Sequence, residues 1–268
     1  MKKALTIAGS DCSGGAGIQA DLKTFSAQGI FGMSVITSVV AENTARVISY
    51  QDISSKVIKE QMDAVFEDII PDAVKVGMLS STATMMAVKE SLQKWVPTHI
   101  VLDPVMYAKN GSPLMDPKSI DTLISEILPL GSLITPNIPE AEKISKMNIE
   151  TIQETRNAAQ KIYQLTGVPT LIKGGHRIEK ATDILFDGDS FYEFSSERID
   201  TKNTHGTGCT YSSAIASNLA LEYTLNYSIK YAKEYVTKAI KHGLSLGKGN
   251  GPTHHFYELY KNGLEKKG

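Results

Sequence analysis

The residues best suited to chemistry stand in one short run, residues 204–210, which reads THGTGCT. Two glycines, Gly206 and Gly208, flank Thr207 there, directly before a stretch of small residues with helical character. Glycine lets the backbone approach a ligand closely, and the first amides of a helix have no intrahelical partner. Together with the helix dipole, such amides suit a transferring phosphoryl group. On spacing alone, a helix start with an incidental glycine pair explains the run equally well.

The composition limits the class of protein. The chain has 268 residues, of which 41% are hydrophobic and 21% charged, as in ordinary globular proteins. Its net charge of -1 lacks the basic excess typical of nucleic-acid binding. Its two cysteines, Cys12 and Cys209, lie far apart and form no C-x-x-C motif, which argues against a disulfide framework or a zinc knuckle.

The hydropathy pattern indicates where the protein resides. No run of residues reaches the 18 apolar positions that a membrane span requires. The apolar stretch near the start breaks at Gly9, too early for the hydrophobic region of a signal peptide. We therefore expect a cytoplasmic protein with no membrane or nucleic-acid partner.

Short β-rich runs alternate with longer amphipathic segments. Predicted strands cover residues 4–8, 33–41, 73–77, 99–103, 132–135, 170–173, 181–186 and 191–195. Predicted helices cover residues 16–28, 56–70, 82–94, 117–128, 139–145, 152–165, 207–222 and 225–245. Helical spacing places five apolar residues of the second helix on one face: Val57, Met62, Val65, Phe66 and Ile69. The alternation predicts an α/β fold in one domain, residues 1–268, with a doubly wound, mostly parallel sheet and helices on both faces.

Ligands of such sheets bind beyond the carboxyl ends of the strands. The residues that follow predicted strands are therefore the first candidates for a site: Gly9, Glu42, Met78, residues 103–105, residues 136–140 and Gly174.

A dinucleotide-binding pattern also occurs near the first strand. Residues 15–20 (GAGIQA) fit G-x-G-x-x-A, and Glu42 ends the second strand where a ribose-binding acid would stand. The glycines of that pattern must form the turn that ends the strand. Here residues 9–14 separate the predicted strand end at Ala8 from Gly15, so we expect no nicotinamide or flavin. The chain also has no G-x-x-x-x-G-K-[ST] motif, which excludes P-loop kinases.

Several further segments accompany the glycine loop in a fixed order. They are residues 5–11 (LTIAGSD), 14–21 (GGAGIQAD), 75–79 (KVGML), 103–106 (DPVM), 135–142 (TPNIPEAE), 173–176 (KGGH) and 201–205 (TKNTH). Together with the GTGC loop, they resemble the bifunctional hydroxymethylpyrimidine/phosphomethylpyrimidine kinases of thiamin synthesis, a ribokinase-like family. The resemblance covers residues 4 to about 255, and the ordered co-occurrence of the segments is highly specific.

The resemblance implies ATP-dependent phosphorylation of 4-amino-5-hydroxymethyl-2-methylpyrimidine and then of its monophosphate, with Mg²⁺ as cofactor and a homodimeric assembly. It implies that Gly206, Thr207 and Gly208 form the catalytic loop. Cys209 stands where most ribokinase-like kinases carry an aspartate base, so it is expected to deprotonate or hold the hydroxymethyl group. A helix N-terminus is expected to lower the pKa of this thiol from ~8.5. The alternative for Cys209 is a small buried helix residue.

On the nucleotide side, the resemblance selects Asn137, Glu140, Lys173 and Thr204. In the family the N-x-x-E pattern of Asn137 and Glu140 organises Mg²⁺ and the phosphates, often through water, as suits magnesium. The same two residues could begin a helix, with Asn137 as its cap. Both roles can hold together. Asp103 is a candidate supporting group.

On the substrate side, Gly9, Asp21, Met78 and Val105 correspond to positions that shape the pyrimidine pocket. Asp21 could instead be a solvated helix acid, and Met78 and Val105 could be core residues. Residues 106–115 resemble a mobile flap.

Glu42 departs from the family pattern, which commonly has glutamine there. Glutamine donates and accepts hydrogen bonds, whereas an ionised glutamate only accepts. Glu42 therefore suits a protonated aminopyrimidine, or is itself protonated because its pKa is raised in a closed pocket. We expect Glu42 to contact the pyrimidine, with binding more pH-dependent than that of a Glu42→Gln variant.

Three further interpretations complete the prediction. Four histidines, His176, His205, His254 and His255, show no metal-ligand spacing and are expected to be surface or structural residues. A pyridoxine or pyridoxal kinase of the same fold is the alternative enzyme, although such relatives carry a GAGC loop and a flap cysteine that this chain lacks. A non-catalytic pyrimidine sensor is the alternative from another class.

Overall fold

In the part of the chain that the structure describes, nine strands form one sheet. The computed structural model describes residues 1–108, 111–174 and 180–264. Its strands are β1 (Lys3–Asp11), β2 (Phe31–Glu42), β3 (Val47–Asp52), β4 (Ala73–Val76), β5 (Ile100–Leu102), β6 (Leu133–Ile134), β7 (Thr170–Ile172), β8 (Lys180–Phe186) and β9 (Phe191–Glu197). They lie in the order β3-β2-β1-β4-β5-β6-β7-β8-β9.

The centre of the sheet is parallel and its edges are antiparallel. The pairs from β2 through β1, β4, β5, β6 and β7 are all parallel. β3 joins β2 in an antiparallel pair, and β8 and β9 extend β7 in the same way. The predicted doubly wound, mostly parallel sheet is confirmed. Because the central strands are parallel, their carboxyl ends meet at one edge of the sheet.

The helices cover both faces of the sheet. They are α1 (Gly17–Ala27), α2 (Ser55–Phe66), α3 (Thr82–Trp95), α4 (Ile120–Thr122), α5 (Ile138–Ser145), α6 (Ile152–Thr166), α7 (Thr207–Ala220), α8 (Leu225–Lys241) and α9 (Tyr257–Leu259). One apolar core lies beneath α2, α3, α5 and α6, and the other beneath α1, α7 and α8. Successive residues of a strand point to opposite faces, so Ala4 contributes to one core and Leu5 to the other.

Three local predictions were wrong. No strand was predicted at β3, because its mostly exposed residues lack the continuous apolar run of the central strands. Helix α2 buries Ile58, Met62 and Phe66, which are spaced four residues apart, whereas Val57 is 42% exposed. The helix predicted for residues 117–128 is instead a series of short helical turns that continues through Pro129, which lacks the N–H that a regular helix needs.

Among the described residues, no helix is long and apolar enough to cross a bilayer.

Candidate active site

A cavity of about 810 Å³ lies at the carboxyl ends of the parallel strands, a volume typical of small-molecule sites. The predicted site residues that line it are Gly9, Glu42, Met78, Val105, Asn137, Glu140, Lys173, Thr204, Gly206, Thr207, Gly208 and Cys209. These residues come from the ends of several strands and from the start of α7. The topology therefore brings together residues that are up to 200 positions apart, from Gly9 to Cys209.

Gly206 shapes the N-terminus of α7. Its φ of 75° lies in the left-handed region, where glycine carries no steric penalty. A side chain there would also overlap the carbonyl oxygen of Gly15. The first i→i−4 bond of the helix runs from Thr210 N to Gly206 O at 2.9 Å. The amides of Gly208 and Cys209 precede that bond and are oriented as helix N-terminal donors beside the cavity.

Thr207 holds the loop together through hydrogen bonds within the protein and does not offer its amide to the cavity. Its amide and its hydroxyl both donate to Thr204 O, at 3.3 and 2.8 Å. The amide of Thr207 is thus engaged within the protein. Fewer backbone N–H groups are therefore available to a phosphoryl group at the start of α7 than the sequence suggested.

Cys209 is a neutral thiol at neutral pH. It is partly buried in the wall of the cavity. Burial raises its pKa to about 11, although the positive charge of Lys75 acts in the opposite direction. The expected lowering of this pKa by the helix N-terminus is wrong, because loss of solvent outweighs the favourable charges.

Asp103 and Lys173 form an ion pair in the cavity wall, with Nζ and Oδ1 2.7 Å apart. Burial works against both charges, but each partner outweighs it, so the pKa of Asp103 is lowered and that of Lys173 is raised. Both side chains lie 3.5 Å from the position that a Cβ of Gly208 would occupy. A fixed positive charge therefore stands beside the start of α7.

Asn137 and Glu140 form the helix cap that the sequence allowed. Asn137 Oδ1 accepts from Glu140 N at 2.9 Å, and Glu140 Oε2 accepts from Asn137 N at 2.8 Å. Burial, together with the negative charge of Asp103, raises the pKa of Glu140 to about 7, even though Lys173 lowers it. A buried carboxyl in this state, beside an amide oxygen, fits a divalent cation, since oxygen ligands suit Mg²⁺ and added positive charge favours ionisation.

Asp21 does not line the cavity, which corrects its predicted place in the pyrimidine pocket. Its side chain is fully buried and forms an ion pair with Lys75 at 2.8 Å. The interpretation as a solvated helix acid is also wrong. Lys75 itself was missed, although a lysine inside the apolar strand β4 is a signal that the sequence contains.

His205 is a structural residue at the edge of the cavity. Its Nε2 hydrogen-bonds Asp11 Oδ2 at 2.8 Å, and the same carboxylate accepts from the amides of Gly15 and Ala16. Possible metal-binding atoms of Asp11, Glu42 and His205 lie within 4.8 Å of one another. The sequence offered no signal for this group, because Asp11 and His205 are 194 residues apart.

Glu42, the third member of this group, faces the cavity. Burial, and then the negative charge of Asp11, raise the pKa of Glu42 to about 7. The raised pKa agrees with one of the two alternatives predicted for this position. Nearby, a Cβ at Gly9 would stand 2.9 Å from Met78 Sδ, and Met78 packs with Val40 and Leu114 in a small apolar cluster.

Strand β1 is longer than predicted, so the expected gap before the dinucleotide-binding pattern is shorter. β1 continues to Asp11, so residues 12–14 alone separate it from Gly15. The glycines are instead required by protein contacts. A side chain at Gly15 would overlap the His205 ring, and one at Gly17 would overlap the carbonyl oxygen of Gly9.

The predicted flap is partly described. An isolated bridge joins Tyr107 to Pro113, and Met106 and Met115 are buried. Lys109 and Asn110 of the flap, and His176 among the histidines, lie outside the described residues.

The fold is a parallel sheet with antiparallel edges, and its glycine-led helix α7 begins beside the ion pair of Lys173 and Asp103. This combination defines a small-molecule kinase of the ribokinase-like class. A family model described as phosphomethylpyrimidine kinase matches residues 11–254. The chain belongs to this family and is a phosphotransferase.

Individual relatives agree with this assignment. A Bacillus subtilis hydroxymethylpyrimidine/phosphomethylpyrimidine kinase is 41% identical over 95% of this chain and 94% of its own length. A thiamine biosynthesis bifunctional protein of Geobacter sulfurreducens is 46% identical over 94% of this chain, which spans 51% of that longer protein. The crystal structure of an ADP complex of Bacillus subtilis pyridoxal kinase superimposes with a TM-score of 0.90 at 38% identity, covering 97% of this chain and 99% of that one.

Proposed function

We propose that this kinase transfers the γ-phosphate of ATP to the alcohol of 4-amino-5-hydroxymethyl-2-methylpyrimidine, and then phosphorylates the monophosphate to the diphosphate. The observation that carries the proposal is the start of α7. There the amides of Gly208 and Cys209 open on the same cavity as the ion pair of Asp103 and Lys173. The family and the name of the Bacillus subtilis relative support the substrate.

The two halves of the cavity divide the work in this proposal. The nucleotide half contains Asn137, Glu140, Lys173 and Thr204, and its Lys173 holds the charged phosphates. The acceptor half contains Gly9, Glu42, Met78 and Val105, and it orients the flat pyrimidine ring. Phosphoryl transfer needs positioning and charge stabilisation more than covalent chemistry, so this division suffices.

Asn137 and Glu140 would hold Mg²⁺, in part through water. When bound, the ion neutralises charge on the nucleotide phosphates. The carboxylate of Glu140 accepts hydrogen bonds from the backbone of Asn137 and of Met106, so the ion would share this group with the protein. The amides of Gly208 and Cys209 face the charge that develops on the migrating phosphoryl group.

Cys209 would meet the acceptor alcohol. Because the thiol is neutral at neutral pH, Cys209 holds the alcohol in line in its resting form, and only its minor thiolate form accepts a proton. This division of roles differs from that of a carboxylate base, which is ionised throughout the neutral range.

A pyridoxal kinase is the second candidate, and one observation favours it. The Bacillus subtilis pyridoxal kinase superimposes over nearly the whole chain. Against it, residues 106–115 (MYAKNGSPLM) contain no cysteine, whereas the resemblance to pyridoxal-phosphorylating relatives would require one there.

A coupled assay of ADP release tests the proposal with three acceptors side by side: the aminopyrimidine alcohol, its monophosphate and pyridoxal. We expect turnover with the first two, and a kcat/KM for pyridoxal at least tenfold lower. The Gly206→Ala variant is the matched control, and it should lose turnover with every acceptor because its side chain would overlap Gly15. Higher efficiency with pyridoxal would support the second candidate, and acceptor-independent ADP release would contradict both.

We also propose a cytoplasmic location and a homodimeric state. Both cysteines are free, as is usual in a reducing compartment. The homodimer rests on the resemblance alone.

A further inference from the structure

Lys75 is a buried cation to which the proposed function gives no role. Its side chain has no solvent exposure and interrupts the apolar strand β4. Its Nζ donates to both oxygens of Asp21, at 3.0 and 2.8 Å. Thr6 and Ser213 also donate to this carboxylate, each at 2.6 Å. A buried ion pair is weak evidence for stability, because desolvation cancels much of its attraction, so the pair calls for another explanation.

The pair lies beneath the turn of α7 that contains Cys209. Cys209 and Ser213 are four residues apart on α7 and therefore share one face of the helix. Ser213 bonds directly to Asp21, which fixes the carboxylate under that face. Lys75 and Cys209 both contribute to the cavity wall.

Four charged groups face Cys209 from the elements around it. Lys75 comes from β4, Asp21 from α1, Asp103 follows β5 and Lys173 follows β7. Burial is the largest influence and raises the pKa of the thiol. Lys75 is the largest opposing influence, ahead of the two carboxylates that reinforce burial. The effect of the Lys75 ammonium on the pKa of the thiol is therefore larger than the opposite effect of the Asp21 carboxylate.

We propose that the Lys75–Asp21 ion pair is a positioning device for Cys209, in which the buried ammonium stabilises negative charge on the sulfur. The proposal rests on the proposed function for the identity of the acceptor. In the balanced step, the O–H bond of the alcohol breaks and its proton passes to the Cys209 thiolate. The alcohol oxygen bonds to the γ-phosphorus as the bond from that phosphorus to ADP breaks. Loss of this proton to water restores the minor thiolate form that the next transfer requires.

Alkylation of Cys209 tests the proposal without any turnover. A Cys12→Ser background leaves Cys209 as the single thiol of the chain. In that background, Asp21→Asn/Lys75→Met removes both charges together and leaves no unpaired buried ion. The rate of iodoacetamide alkylation, followed by mass spectrometry from pH 7 to 9, is proportional to the thiolate fraction because this range lies below the midpoint of the titration. We expect alkylation at pH 8 to become about tenfold slower, which corresponds to a midpoint about one pH unit higher.

Two further variants separate charge from structure. Ser213→Ala keeps both charges and removes one hydrogen bond to Asp21, so the midpoint should stay within a few tenths of a unit of the background. If the Asn/Met form does not unfold cooperatively, Asp21→Asn/Lys75→Gln replaces the ion pair with two amides that can bond to each other, and the same upward shift is expected. An unchanged or lower midpoint in a folded neutral pair would overturn the proposal. A shift in Ser213→Ala as large as that of the neutral pair would also overturn it. Because alkylation needs no acceptor, the result stands even if the proposed substrate fails in the ADP assay.

Discussion

Glu42 and Glu140 have nearly the same pKa, but their surroundings differ. In both, burial raises the pKa to about 7 and a nearby aspartate adds to the effect. Glu140 also lies beside the ammonium of Lys173 and caps α5 through one oxygen. In the described part of the chain, no lysine contributes to the pKa of Glu42, which faces the acceptor half of the cavity.

Because their surroundings differ, the two carboxyl groups allow one cavity to serve two ligands. In the nucleotide half, added positive charge favours the ionised form of Glu140, which suits a metal site. In the acceptor half, the protonation of Glu42 decides which hydrogen bonds a substrate can form. Equal pKa values thus support a metal role in one half and substrate selection in the other.

The largest expected effect comes from Lys173 in the nucleotide half. Lys173→Met should lower kcat/KM for ATP by roughly 10²–10³-fold, the usual loss on removal of one stabilising donor. It should also destabilise the fold by about 3–5 kcal/mol, because Asp103 is left buried and unpaired. Steady-state kinetics and chemical denaturation measure the two effects. The double variant Asp103→Asn/Lys173→Met should recover stability but not activity. Recovery of activity would show that Lys173 does not bind the phosphates.

Glu140→Gln tests the nucleotide half through its dependence on magnesium. We expect the Mg²⁺ concentration for half-maximal activity to rise about tenfold, since a neutral amide attracts the ion less. A magnesium titration of the initial rate measures the change. Glu142→Gln, on the same helix but outside the cavity wall, is the matched control. If both variants have the same magnesium dependence, Glu140 acts as a helix cap alone.

Glu42→Gln should change the acceptor half without altering magnesium dependence. Glu42 ionises as the pH rises through about 7, and the carboxylate then loses its ability to donate. A protonated aminopyrimidine also becomes scarcer as the pH rises. The KM of the wild type for the aminopyrimidine should therefore increase several-fold from pH 6 to 8, whereas that of the variant should change less than twofold. The same pH dependence of KM in the wild type and in the variant would show that Glu42 does not contact the pyrimidine.

The same substitution has a smaller effect on stability. The pKa of Glu42 is about 7 in the folded chain and 4.5 in the unfolded chain, so the unfolded chain loses its proton first. Stability therefore falls as the pH rises from 4.5 to 7. Glu42→Gln removes this loss and should raise Tm at pH 8 by roughly 2–4 °C, allowing for partial solvent screening, with little change at pH 4. Thermal unfolding at the two pH values measures it, and an equal gain at both would contradict the assignment.

The sequence predicted best what depends on local pattern. The helix at α7 followed from the glycine pair and the small residues behind it, and the central strands followed from their apolar runs. The helix cap at Asn137 could also be predicted, because an N-x-x-E pattern supplies the groups for both of its hydrogen bonds.

What the sequence did not predict depends on contacts between distant segments. The partners Asp21 and Lys75 are 54 residues apart, and Asp11 and His205 are 194 apart, so no spacing rule connects them. The prediction of a lowered pKa for Cys209 failed for the same reason. The helix start is a local feature, but the burial that outweighs it results from packing of the whole fold.

The most direct test of the account is the rate of phosphoryl transfer in Cys209→Ala, measured by single-turnover quench with the affinity for the aminopyrimidine determined in parallel. We expect the sulfur to contact the acceptor alcohol at the start of α7. The rate should therefore be lower by roughly 10²–10⁴-fold, with an affinity within about twofold of the wild type. An unchanged rate at saturating substrate would show that Cys209 only fills space and would contradict the account.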